Sequence, residues 1–174
     1  MADVQANILV GSATISVGPY VSAGGAGTLS DLGAILAGGI TFSRKTSYHD
    51  VISDHHLGIL SRVKTADAWE VKVTCMESSL ANLLIAFDQP NASLSGSTLR
   101  HNTNAQTNYK QVQIVGLGPT GAFIRTITVW RCAVVECGDI PFKKDGEQLL
   151  PLTFGVCQDL TVVTADQSFK VVDS

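Results

Sequence analysis

The 174-residue sequence has no cluster of basic residues, no secretory leader pattern and no long apolar run. Twelve Lys and Arg stand against fifteen Asp and Glu, so the net charge is −3 and tight nucleic-acid binding is not expected. The first residues lack a positive n-region followed by an apolar h-region. The apolar run 80–87 is too short to span a bilayer, so no membrane role is predicted. The length predicts a single domain over 1–174.

Motifs for nucleophilic catalysis and metal binding are also missing, because neither a GxSxG nor a CxxC occurs. Cys75, Cys132, Cys137 and Cys157 lie in or beside β-branched runs and are predicted to be reduced core residues. One GxGxxG occurs at 116–121, but residues 122–129 after it favour a strand rather than the helix that dinucleotide binding requires. We therefore predict no enzyme and no cofactor.

A polar stretch at 48–56 gathers imidazoles, carboxylates and a phenol, and its spacing matches no standard metal-ligand set. Adjacent His55 and His56 point to opposite faces if the backbone is extended. The favoured interpretation is an exposed contact loop, and a metal-dependent enzyme built on His49, His55 and His56 stays as a third, weaker alternative. The predicted contact residues are Tyr48, His49, Asp50, Asp54, His55 and His56.

Two segments alternate apolar and polar residues with the period of a strand, and they flank a protruding loop or hairpin predicted at 46–58. Ile40 and Phe42 form the apolar side of the first segment, and Trp69 to Cys75 supply that of the second. The polar side is either ordinary exposed sheet or the lining of a wet channel. Its members are Thr41, Ser43, Lys45, Glu70, Lys72 and Thr74.

The rest of the chain is predicted to be mainly β, a β-sandwich or partly open barrel with one flanking α-helix. That helix covers about 78–89, where apolar residues recur at helical spacing before Pro90. Segments 22–27 and 29–36 are predicted as loops, and 91–108 as a surface connection. Strands are predicted at 8–18, 109–116, 123–135 and 148–157, with a turn at 138–146 and a weakly β-like arm at 160–172.

The segment 139–154, DIPFKKDGEQLLPLTF, resembles the C-terminal signature of phage major tail tube proteins. Upstream, ILVGSATISVG, GGITFSRKTSYHDV and WEVKVTCMESSLANLLIAFDQP follow in the order of that family. The Gly- and Ala-rich stretch at 22–38 departs from its compact members. The signature residues that precede the apolar strand end in a charged turn, Lys-Lys-Asp-Gly, and they are Ile140, Pro141, Phe142, Lys143, Lys144, Asp145 and Gly146.

The resemblance implies a fold related to the tube proteins of contractile injection and type VI secretion systems. Six copies would close a ring and rings would stack into a tail tube, with the polar strand faces lining the lumen and 46–58 reaching a neighbouring subunit. The N-terminal strand and the C-terminal arm would be available for contacts between subunits. The implied location is the virion tail, after assembly in the host cytoplasm.

The implied partners are other copies of the chain, a tape-measure protein, cap or initiator proteins at the tube ends, and a sheath if the tail contracts. Genomic DNA would pass through without specific binding. The alternative function is a β-sandwich binding module that uses loops 46–58 and 91–108.

Overall fold

The computed structural model describes residues 13–25, 27–103, 106–118, 123–141, 146–163 and 166–174. Within these residues there are ten strands and one α-helix, α1 (Leu80–Ala86). β-branched and aromatic residues fill the longer strands, as their preference for a pleated surface predicts. The strands are β1 (Thr14–Pro19), β2 (Ser30–Asp31), β3 (Ile35–Ser53), β4 (His56–Cys75), β5 (Leu94–Ser95), β6 (Thr98–Leu99), β7 (Lys110–Leu117), β8 (Ile124–Cys137), β9 (Leu150–Val156) and β10 (Phe169–Asp173).

Eight of these strands form one antiparallel sheet in the order β2-β1-β7-β8-β9-β4-β3, and β10 pairs with β8 beside β9. β5 and β6 form a separate two-stranded hairpin. The sheet is open, because β2 and β3 end the order and do not pair with each other. The prediction of a mainly β fold with one flanking helix is confirmed.

The hydrophobic core lies on one face of the curved sheet and is built from alternate residues of its central strands. Phe154 of β9 is fully buried and stands opposite Val71 of β4 and Val134 of β8. Cys75 and Cys132 are buried as predicted, whereas Cys137 and Cys157 are only partly buried. Burial raises the pKa of the Cys75 thiol to about 11, which keeps it protonated and unreactive.

The helix is shorter than predicted and presents a different face to the core. The Ser79 side chain accepts a hydrogen bond from the Asn82 amide and caps the first turn. The helix ends at Ala86 because Asp88 adopts a left-handed backbone with φ 50° before Pro90 is reached. Leu84 is buried, but Leu80 and Phe87, which share its helical spacing, are each slightly more than a third exposed.

Residues 19–38 differ from the predicted loop. A 3-10 turn covers Ser22–Gly24, β2 pairs with β1, and β3 begins at Ile35 rather than near Ile40. β3 carries an irregular bulge, because Ile35 faces Cys75 and Ile40 already faces Val73. Gly39 makes this possible, since its φ of 69° is strained for any residue with a Cβ.

The other connections follow the predicted order, with added structure. The 91–108 connection contains a 3-10 turn and the β5–β6 hairpin. The predicted hairpin at 109–135 is confirmed as β7 and β8, and the predicted strand at 148–157 as β9. After Gly118 the chain returns as a strand at Ile124, not as a helix, which agrees with the rejection of dinucleotide binding. Position 121 of the glycine motif and the predicted strand residues 8–12 lie outside the described residues.

The C-terminal segment, predicted as a weakly β-like arm, ends in β10, which is paired with β8 of the same chain. Arg125 and Asp173 form two short side-chain hydrogen bonds across this pairing, both 2.7 Å long. In the part of the chain that the structure describes, no helix has the length and apolar character needed to cross a membrane.

Candidate functional site: the β3–β4 hairpin

The β3–β4 hairpin extends well beyond the rest of the sheet. β4 pairs with β9 only as far as Glu70, so the hairpin beyond that point has main-chain pairing only between its own two strands within the described residues. Residues 44–53 of β3 therefore project about 33 Å at ~3.3 Å per residue. The predicted protruding feature at 46–58 is the end of this hairpin, and its turn is formed by Asp54 and His55.

The predicted polar side of the two strands is a single face of the sheet. Thr41 stands opposite Lys72 and Ser43 opposite Glu70, so both pairs point the same way. Thr74 lies on this face beside the β3 bulge, where a cavity of about 340 Å³ is also lined by Glu136. The structure therefore brings the six predicted residues together.

Charges on this face are balanced and paired. Lys45 Nζ lies 2.7 Å from Glu70 Oε1, and Lys72 Nζ lies 3.7 Å from the other oxygen of the same carboxylate. The hydrogen bond from Lys45 holds the pKa of Glu70 below its usual range. Together with Glu136, the six predicted residues include two lysines and two glutamates, so this patch of the face has no net charge.

The opposite face of the projecting hairpin carries an ion-pair ladder. Arg44 donates two hydrogen bonds to Asp67, of 2.6 and 3.0 Å, and Lys64 bonds the same carboxylate. Nearer the tip, Arg62 donates two hydrogen bonds to Asp50, of 2.7 and 3.2 Å. These cations hold the pKa of both carboxyls below the usual range. The ladder joins β3 to β4 where no other strand supports them.

The ladder is linked to the body of the domain by aromatic rings. Arg44 lies over Trp69, with 5.6 Å from its guanidinium carbon to the ring centroid. Trp69 stacks on Phe42, and Phe169 of β10 contacts both rings at centroid distances of 4.9 Å. The base of the hairpin is therefore held by the C-terminal strand.

The hairpin tip exposes apolar side chains. Ile52 is 70% exposed, and Ile59 and Leu60 are each more than half exposed. They flank the turn, where Asp54 and His55 are also exposed. Such a cluster at the end of a long projection is typical of a contact surface with another protein.

The six predicted contact residues are therefore distributed along the hairpin. Tyr48 and Asp50 belong to the ladder face, with Tyr48 under the Arg62 guanidinium. His49 pairs with Val63 on the other side. The backbone of His56 is in β4, but its side chain lies outside the described part of the structure. Among the described residues, no three His, Cys, Asp or Glu side chains are grouped to hold a metal ion.

The outer edge of β3 is a second feature that sequence reasoning did not locate. β3 is the last strand of the sheet, and within the described residues its main chain pairs only with β4. An unpaired edge of this length presents a row of free N–H and C=O groups to any incoming strand. No sequence pattern distinguishes an edge strand from a central one when both alternate.

The turn that carries the family resemblance is described only in part. Ile140 packs against the hydrophobic core, Pro141 is partly buried, and Gly146 is exposed. Phe142, Lys143, Lys144 and Asp145 lie outside the described residues. The apolar strand after the turn, 150–156, is β9 and supplies the centre of the core.

Neither a protein-family model nor a curated protein matches the chain. Among solved structures, it is similar to a chain in the cryo-EM structure of the anti-feeding prophage (AFP) baseplate, 6-fold symmetrised. The TM-score is 0.50 at 13% sequence identity, and the alignment covers 95% of each chain. At this identity the likeness shows a common fold over nearly the whole length.

Proposed function

We propose that this protein is a structural subunit of a phage-like tail, and that copies of it close six-membered rings that stack into a tail tube. The tube is a conduit for DNA ejection, and the subunit performs no chemistry. Its location is the virion tail, after assembly in the host cytoplasm. Tape-measure protein, cap or initiator proteins and, in a contractile tail, a sheath are its further partners.

The observation that carries this proposal is the unpaired β3 edge at the base of a projecting hairpin. The sheet ends in two different strands, β3 and β2, so joining one copy to the next by these ends is a head-to-tail contact. Head-to-tail contacts close into rings when the rotation between copies allows it. The six-fold symmetry named for the fold neighbour supports six copies.

The polar face supports a lumen-facing position for Thr41, Ser43, Lys45, Glu70, Lys72 and Thr74. A surface that must let a polyanion pass should be wet and should carry no excess of cations. Here each lysine is within reach of Glu70, which leaves no free cation among the four charges described on this face. Six copies with a net charge of −3 each carry roughly −18, which also disfavours retention of DNA.

The exposed tip supports contact with an adjacent subunit or ring by the 46–58 segment. Its apolar side chains have no cover within the described chain, and a partner that buried them would gain about 25 cal/mol per Å² of apolar surface. The ion-pair ladder joins β3 to β4 along the projection, which reduces the ordering that the hairpin must undergo when it meets a partner.

Negative-stain microscopy and light scattering of the purified protein test the proposal. We expect rings with a central channel, or tubes, at high protein concentration. Monomers at every concentration would refute self-assembly and favour the binding-module alternative. Two-fold dimers joined through β3 would refute the ring, and hexamers that never stack would favour a baseplate role over a tube.

A matched pair of substitutions locates the contact. Ile52→Ser at the tip should abolish assembly, whereas Leu160→Ser, which removes an equally exposed apolar residue (74% against 70%), should leave it intact. The whole tip can also be removed by replacing residues 49–63 with Asn-Gly. Tyr48 and Lys64 face each other, so a two-residue turn can join them while the remaining parts of β3 and β4 stay paired. This variant should fold and form no tubes.

A further inference from the structure

A second cavity of about 540 Å³ lies between helix α1 and the β1–β2 edge of the sheet. Its walls combine apolar side chains, among them Val17, Leu32 and Leu84, with about as many polar ones. Lys110, the first residue of β7, also lines it. The cavity is on the side of the sheet order that ends in β2, away from the β3 edge.

Lys110 is unusually placed for a lysine. It is only 6% exposed, and within the described residues its ammonium group makes no hydrogen bond or ion pair. Asp88 acts on it through space, but the Asp88 carboxylate already accepts a hydrogen bond from the Asn108 amide. Lysines are almost never buried to this extent without a partner, because desolvation penalises the charge. Burial accordingly lowers the pKa of Lys110.

The polar groups at the mouth of the cavity are already anchored. Asp31 accepts a hydrogen bond from the Gly33 amide, and Glu77 accepts one from the Ala34 amide. Each carboxylate keeps further lone pairs that can accept a hydrogen bond. The cavity therefore offers the Lys110 ammonium, which has no direct partner among the described residues, two carboxylates that can accept hydrogen bonds, and apolar wall segments. It fits an apolar group that carries a carboxylate for Lys110 and a hydrogen-bond donor for Asp31 or Glu77.

We infer that this cavity receives the β3–β4 hairpin tip of a second copy, with the Asp54 carboxylate reaching the Lys110 ammonium. The tip has the complementary chemistry: Ile52 is apolar, Asp54 is an exposed acid with no partner among the described residues, and His55 is exposed and can donate one N–H even when neutral. This inference rests on the proposed self-assembly and names the receiving site for its contact.

Site-directed cross-linking tests the pairing directly. Ser30 lines the cavity and is exposed, so Ser30→Cys mixed with Asp54→Cys should give a disulfide between two chains. Because Asp54→Cys removes the docking carboxylate, the mixture is assembled at a protein concentration more than about tenfold above that needed by the wild type. Asp139→Cys, also exposed, replaces Asp54→Cys in the control mixture and should give none. Peptide mass spectrometry distinguishes the 30–54 link from links through the partly buried Cys137 and Cys157.

Lys110→Met tests the role of the charge while keeping the side-chain volume. We expect the isolated subunit to melt no lower than the wild type, because a buried charge has been removed, and the concentration needed for assembly to rise about tenfold or more. Lys170→Met, on the exposed side of β10, should change neither value. Asp54→Asn should reproduce the assembly defect of Lys110→Met, and the double variant should be no worse than either.

The outcomes separate this inference from the proposed function. If the wild type forms rings or tubes while Lys110→Met assembles normally and no 30–54 link appears, the receiving site is wrong and self-assembly stands. If the wild type never assembles, both are wrong. A third outcome concerns small carboxylates. If sodium acetate or hexanoate raises the melting temperature of the wild-type monomer as much as Lys110→Met does, and neither the salt nor the substitution changes assembly, the cavity is a small-carboxylate site and not a docking site.

Discussion

Replacing Phe169 by Ala should detach the C-terminal strand from a domain that otherwise stays folded. Phe169 begins β10 and contacts the rings of Phe42 and Trp69 at 4.9 Å each. Each aromatic pair is worth about 0.5–1.5 kcal/mol beyond burial, and burying about half of a Phe side chain adds about 1 kcal/mol. The loss is therefore about 2–4 kcal/mol.

That loss falls on a strand with few other attachments. β10 has five residues, pairs with β8 alone, and shares one exposed ion pair through Asp173. An exposed ion pair contributes too little to compensate. The central core around Phe154 does not depend on β10, because β9 lies beside β4 and β8 independently. We therefore expect local opening rather than global unfolding.

Hydrogen exchange measures the effect directly. The β10 amides, and the β8 amides paired with them, should exchange about 30-fold to 1,000-fold faster in Phe169→Ala than in the wild type. Trp69 emission should shift to the red, while protection of β9 should stay unchanged. Wild-type protection of β10 would refute the reasoning, as would a loss of global stability equal to that of Phe154→Ala, expected to be about 3–5 kcal/mol.

Three further predictions concern the core, the ladder and the thiols. Phe154→Asp should prevent folding, since a charge at a fully buried site has no partner, whereas Val171→Asp on exposed β10 should give a normal circular dichroism spectrum. In NMR spectra the Asp67 carboxyl should titrate with a pKa below the ordinary Asp value of about 3.9. Its ion pairs therefore stabilise the hairpin fully above about pH 3.9, and this stabilisation is lost as the pH falls through the lower pKa of the folded state. A normal Asp67 pKa would contradict the ladder. In the native protein, iodoacetamide should modify Cys137 and Cys157 and spare Cys75 and Cys132, and equal labelling of all four would contradict the burial.

Much of the strand content could be predicted because alternation is a local property. Val71, Val73 and Cys75 alternate with polar neighbours, and they occupy the core face of β4 as the period of two requires. The helix position was correct for the same reason, but of its four spaced apolar residues only Leu83 and Leu84 are covered. Leu80 has helical spacing with Leu84, yet only tertiary contact decides which of them is covered.

The candidate site could be predicted only in outline. The polar residues of 41–45 and 70–74 share a face once β3 and β4 are adjacent and antiparallel, which two-faced strands joined by a short turn make expected. The ion-pair ladder could not be predicted, because Arg44 and Asp67 meet only in one particular register, and a bulge between Ser47 and Tyr48 shifts that register partway along. The register that brings these two side chains together leaves no pattern in the sequence of either strand.

The sequence by itself determined the class of fold, the two-faced strands and the absence of a standard catalytic motif, since each depends on residue type and short-range spacing. Only the tertiary structure decided three features of the described residues: β3 ends the sheet, the tip of its hairpin is uncovered, and Lys110 lines a cavity beside helix α1 with no hydrogen-bond partner for its ammonium group. Those three features arise from which segments meet across long separations in the chain. These long-range contacts are set by the packing of the whole sheet, so they cannot be inferred from any short stretch of the sequence.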